Sequence, residues 1–82
     1  MTRKEIGDKL RGIMQASSQE EVDWSAVTEQ SQIADLGFDS LSILDLVYDI
    51  QQGFGVEFEA EQLTAVRTVA DLVTFLEQRL AR

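Results

Sequence analysis

Eighty-two residues carrying 15 acidic and 7 basic side chains, net charge −8, with neither cysteine nor histidine, make one small domain over 1–82 that must hold by packing alone. The same absences remove an imidazole base, a thiol nucleophile and any Ser-His-Asp triad, so an enzyme is not expected, and no metal site is either. No basic residue lies between Arg11 and Arg67, while eleven carboxylates do, a distribution that repels nucleic acid and steers basic protein partners toward the middle of the chain.

Thr2-Arg3-Lys4-Glu5 has the form of a capping box, and Ile6, Leu10, Ile13 and Met14 follow at helical spacing, which predicts an amphipathic helix over residues 3 to 16. Charges interrupt its apolar stripe, so it is neither a secretory segment nor a membrane span. A soluble, cytoplasmic protein is expected, without membrane insertion. Residues 17 to 39 are polar and lack periodicity; Val22, Trp24, Val27, Ile33 and Leu36 are expected to anchor this long loop, with one helical turn near "DWSAV".

A second helix is predicted to start at Asp39 or Ser40, since Gly37 breaks the chain, Asp39 is a strong N-cap type, and apolar residues recur up to Gly53 and Gly55. At about 100° per residue, Ile43, Leu46, Val47, Ile50 and Phe54 share a core stripe, whereas Ser42, Asp45, Asp49 and Gln52 face water. Leu41, Leu44 and Tyr48 line the border of that polar face. With Asp45 and Asp49 they form an expected docking strip of apolar anchors inside a charged rim.

"EAEQLTA" allows a turn or two of helix near residues 60 to 65, and Thr68-Val69-Ala70-Asp71 opens a last helix with Val69, Leu72, Val73, Leu76 and Leu80 on one side. No strand pattern competes, since "VEF" at 56 to 58 is short and glycine-flanked. The expected fold class is all-α: a three-to-four-helix bundle with a long first loop.

Ser40 would then occupy the first turn of the second helix, where free N–H groups and the positive end of the dipole suit an attached phosphate. Taken by itself, Asp-Ser-Leu is equally a cap and an exposed first turn. The wider stretch "DLGFDSLSILDLV", however, resembles the phosphopantetheine attachment motif of acyl carrier proteins, and the helix order, length and acidity resemble that family over nearly the whole chain. The resemblance implies that Ser40 bears 4′-phosphopantetheine through a phosphodiester, donated by coenzyme A under a magnesium-dependent transferase, and that Asp39 helps present the serine. It implies that acyl groups travel as thioesters on the thiol of that arm, a group the chain itself lacks. An apolar cargo would shelter among Ile43, Val47, Ile50, Val69 and Leu72. Expected partners are a phosphopantetheinyl transferase and acyl-processing or synthase enzymes with basic docking patches, met by a monomer.

Departures from the family's usual pattern concern partners. The second helix has fewer glutamates, Ser42 follows the attachment serine, Gln51-Gln52-Gly53 ends the helix, and "VEFEAEQ" lacks a proline. These suggest a specialised lipid or polyketide pathway, or a free-standing carrier for amino acids, within an overall expectation of fatty acid, specialised lipid or polyketide biosynthesis. Beginning at Met1 without linker-like ends, the chain reads as free-standing. The alternatives are a peptidyl or aminoacyl carrier, a domain of a larger synthase, or an unmodified acidic helical adaptor; an EF-hand is weaker, because the loop lacks the required glycine and glutamate.

Overall fold

The computed structural model describes residues 1–18, 21–38 and 41–81. Three helices, α1 (Arg3–Ser17), α2 (Ser42–Phe54) and α3 (Val69–Leu80), alternate with 3₁₀ turns at Trp24–Ala26, Ile33–Leu36 and Ala60–Leu63. There is no strand among the described residues, only an isolated antiparallel bridge between Gln32 and Thr68.

Helix α1 starts where local chemistry dictates. The Thr2 hydroxyl accepts from the Glu5 N–H at 3.2 Å, and the Glu5 carboxylate accepts from the Thr2 N–H at 2.8 Å, so two otherwise orphaned donors are satisfied. Ile6, Leu10 and Met14 then recur every fourth residue and are buried. Helix α3 repeats the device: Asp71 N–H donates to Thr68 Oγ1 at 3.1 Å, and Thr68 N–H to Asp71 Oδ2 at 3.2 Å.

Helix α2 departs from expectation at both ends. Its first residue is Ser42, with Leu41 at the cap, two residues or more beyond the predicted start at Asp39 or Ser40; those two lie outside the described residues. At the other end Gly53 lies inside the helix, and Gly55, at φ 68°, is the left-handed cap whose N–H reaches the Gln51 carbonyl at 2.9 Å. Glycine suits that position because a Cβ penalises left-handed backbone.

The long loop is pinned as expected, with Val27, Ile33 and Leu36 buried and Val22 and Trp24 half-buried against the core. Polar contacts not legible beforehand complete the fastening. Arg11 donates to the carbonyls of Trp24 and Val27 at 3.3 and 2.7 Å. Arg3 pairs with Glu29 at 3.2 Å and Glu77 at 3.4 Å, tying α1, the loop and α3 together. Downstream, the Gln51 amide donates to the Phe58 carbonyl at 2.9 Å, and Phe58 meets Phe75 edge to face with centroids 5.2 Å apart.

Helix α1 is the shared partner of the bundle: α2 and α3 each lie along it and approach one another less closely. The seam between α2 and α3 is therefore less closely packed than the seam either helix makes with α1.

Candidate functional site

The Asp39-Ser40 pair of the motif is flanked by a buried residue upstream, Phe38, and an exposed one downstream, Leu41. The preceding 3₁₀ turn buries Ile33 and Leu36, and Gly37, at φ 90°, reverses the chain in a left-handed conformation that favours glycine. Phe38 then returns to the core at 6% exposure, whereas Leu41 is 78% exposed. Between them stand Asp39 and Ser40, the expected presenting and attachment residues, which lie outside the described residues. Upstream, the Ser18 hydroxyl donates to the Leu36 carbonyl at 3.0 Å, so the end of α1 braces the turn that precedes the motif.

Along α2 the expected apolar anchors are exposed: Leu44 at 54% and Tyr48 at 63% continue the row begun by Leu41. Asp45, between them, is exposed as well. Asp49 is not free to face water as predicted. It is half-buried and accepts a short hydrogen bond from the Ser17 hydroxyl of α1, so its carboxylate braces two helices. Ser42 is also half-buried. Helical periodicity alone placed both on the polar face; for Asp49 a neighbour on α1 decides otherwise.

Beside this face lies an apolar cleft of about 280 Å³ walled by Ile33, Phe38, Ile43, Leu63, Val66 and Leu72, with Gln32, Ala34 and Arg67 also on its lining. Of the five residues expected to shelter cargo, Ile43 and Leu72 line it. Ile43 is accordingly half-buried and not a full member of the core stripe. Val47 and Ile50 are core residues that do not reach the cleft. Val69 lines a different and larger hollow, about 390 Å³, between α1 and the first loop. The smaller cleft is the one adjacent to the motif, because Phe38 and Ile43 stand on either side of Asp39-Ser40 in sequence and both form its wall. Ile33, Phe38, Leu63 and Val66 were missed as lining residues, although an apolar side chain inside an aperiodic polar stretch is the available signal for each.

The arrangement offers an exposed apolar row beside an acidic residue, a motif pair flanked by one buried and one exposed residue, and a greasy slot next to it. Those features suit a covalently attached, flexible arm that must be reached by other proteins and whose apolar cargo gains from shelter. No helix of the described residues is long and apolar enough to cross a membrane.

Comparison with known proteins agrees with the geometry. Residues 8–76 match the family described as "Phosphopantetheine attachment site". An acyl carrier protein of Thermotoga maritima is 41% identical over 80 residues, covering 96% of each chain. Acyl carrier protein 3 of Ralstonia nicotianae is 38% identical over 81 residues, covering 99% of this chain and 92% of the relative. The anthracycline acyl carrier protein DpsG of Streptomyces peucetius is 37% identical over 73 residues, covering 88% of this chain and 87% of its own. Among solved structures, an acyl carrier protein of Thermotoga maritima superposes with a TM-score of 0.77 at 28% identity, covering 96% of this chain and 91% of that one.

Proposed function

The chain belongs to the phosphopantetheine-binding family of acyl carrier proteins, and from that premise we propose that Ser40 is the residue to which its 4′-phosphopantetheine is joined. The family is one of carriers and not of catalysts, and the prosthetic group supplies the thiol on which acyl groups ride as thioesters. The chain's own residues present, steer and shelter. The observation that carries the assignment is that buried Phe38 and exposed Leu41 bracket the Asp39-Ser40 pair of the motif.

Leu41, Leu44 and Tyr48 offer apolar anchors to a docking enzyme, and Asp45 offers the charge that a basic patch would meet. Asp49 acts mainly inside the domain, through Ser17. Ile43 and Leu72, with Phe38 opposite, cover an apolar chain when it withdraws from water. The pathway is fatty acid or polyketide assembly in the cytoplasm; relatives named for anthracycline acyl carriage support the second branch, and those named simply acyl carrier protein suit either.

Intact mass after coexpression with a broad-specificity phosphopantetheinyl transferase tests the assignment. Wild type should gain the mass of one phosphopantetheinyl group and Ser40→Ala none. A wild-type mass that stays that of the bare chain would leave the acidic adaptor as the better account.

A further inference from the structure

The cleft beside Ile43 and Leu72 is apolar except along one edge, where the first loop meets the start of α3. Gln32 pairs with Thr68 in the isolated bridge, the Ile33 N–H donates to the Arg67 carbonyl at 2.9 Å, and the Val69 N–H donates to the Ser31 carbonyl at 2.9 Å. This register sets Gln32 and Arg67, both exposed, next to each other at the rim of a lining whose other seven residues are apolar.

Arg67 is unusual by position as well as by charge. It is the one basic residue between Arg11 and Arg79 in the sequence, it is exposed, and it makes no ion pair among the described residues. Asp71 is the carboxylate that senses it, and Asp71 is already engaged by the N–H groups of Thr68 and Arg67, which hold its carboxyl below the ordinary value.

A guanidinium has five donors and no acceptor, and an amide adds two more donors. A saturated chain passing this rim would displace part of the water around those donors and return no acceptor, which costs free energy. An oxo or hydroxy group on the chain would accept from them. A carboxylate would also accept, but it would meet Asp71 and a surface of net charge −8. A neutral oxygen acceptor gains the hydrogen bonds without that repulsion.

We propose that Gln32 and Arg67 form a selectivity edge that makes the cleft prefer acyl chains bearing an oxo or hydroxy group over saturated chains of the same length. The cleft volume sets the scale of the sheltered part at on the order of ten non-hydrogen atoms, taking roughly 30 Å³ for each. The inference rests on the carrier reading of Ser40.

The test uses the full chain loaded by the transferase with amide-linked pantetheine analogues carrying octanoyl, 3-oxo-octanoyl, 5-oxo-octanoyl, 7-oxo-octanoyl or suberyl chains, each confirmed by intact mass. At least one oxo form should melt about 4 °C or more above the octanoyl form. That gap should fall by more than half in Arg67→Met, recover in part in Arg67→Lys, and persist in Arg79→Met. Arg79 lies over the Phe75 ring and does not line the cleft. An octanoyl form that melts as high as every oxo form, or a gap untouched by Arg67→Met, overturns the selectivity edge. A suberyl form melting above all the oxo forms overturns the preference for a neutral acceptor. Failure of wild type to take up any arm would instead remove the carrier reading and this inference with it, and the mass spectrum separates that result from the others.

Discussion

Gly53 of α2 faces Ile13 of α1 so closely that a Cβ added at Gly53 would stand 2.7 Å from Ile13 Cδ1. Glycine inside a helix costs about 1 kcal/mol relative to alanine, so at this position close helix approach opposes intrinsic propensity. Gly53→Ala should therefore change stability by less than about 1 kcal/mol in either direction, the propensity gain being spent on displacing Ile13. In an Ile13→Val background, which lacks the Cδ1 atom, the same change should stabilise by about 0.5–1 kcal/mol. Chemical denaturation of the four proteins measures the coupling; additive effects would mean the contact is not felt.

The ion pairs present among the described residues both involve Arg3, and Glu29 is the one carboxylate in them from the acidic stretch between Arg11 and Arg67. The remaining described carboxylates of that stretch repel one another without a cationic partner. Wild type should therefore melt higher as sodium chloride is raised from about 10 mM to 500 mM, the range over which the screening length contracts several-fold. Arg3→Met should cost about 1 kcal/mol at the low end and less at the high end, as screening weakens the partly exposed pairs. Thermal melts across the salt series check both slopes, and a flat wild-type response would contradict the first.

Acid should weaken the two capping boxes specifically. The Thr2 N–H is the main cause that holds the Glu5 carboxyl below its ordinary 4.5, and the Thr68 N–H does the same for Asp71 below 3.8. A carboxyl whose folded value is depressed contributes above the ordinary value and loses that contribution as pH falls through the folded value. Glu5→Ala and Asp71→Ala should thus be less stable than wild type at neutral pH, and the difference should narrow once pH drops below about 4. Urea midpoints at a series of pH values test this; a difference that stayed constant into strong acid would assign the loss to something other than charge.

On the exposed face, Asp45 and Asp49 should separate under mutation. Asp45→Lys should lower the transferase kcat/KM by about tenfold with a small change in melting temperature, since relief of like-charge repulsion offsets the loss of a first-turn carboxylate and no intramolecular bond is broken. Asp49→Ala should lower the melting temperature by releasing Ser17, a loss of about 1 kcal/mol, with a smaller effect on the transferase. Initial rates of arm attachment, set beside melts of the same proteins, distinguish the two. Equal effects on both quantities would dissolve the distinction.

What could be read from the sequence follows from how far apart the cooperating residues lie. Thr2 with Glu5 and Thr68 with Asp71 are three residues apart, and local chemistry suffices to place both helix starts. Leu41, Leu44 and Tyr48 were legible as an exposed row because they lie off the core stripe and no other element covers them. Asp49 was misjudged because its partner Ser17 lies 32 positions earlier, and Gly53 looked like a helix end because Ile13 is invisible to local pattern. The cleft was half legible for the same reason: Ile43 and Leu72 belong to periodic helices, whereas Ile33, Phe38 and Val66 sit in stretches without period, Ile33 being held by its N–H on the Arg67 carbonyl.

Because α2 and α3 are each bound to α1 more than to one another, the bundle behaves like a book with α1 as its spine. On the carrier reading proposed above, the gap between the covers is where an apolar guest would lodge while the spine holds both. On the same reading, a visiting enzyme that gripped Leu44 and Tyr48 would hold the outside of one cover while its cargo lay on the inside.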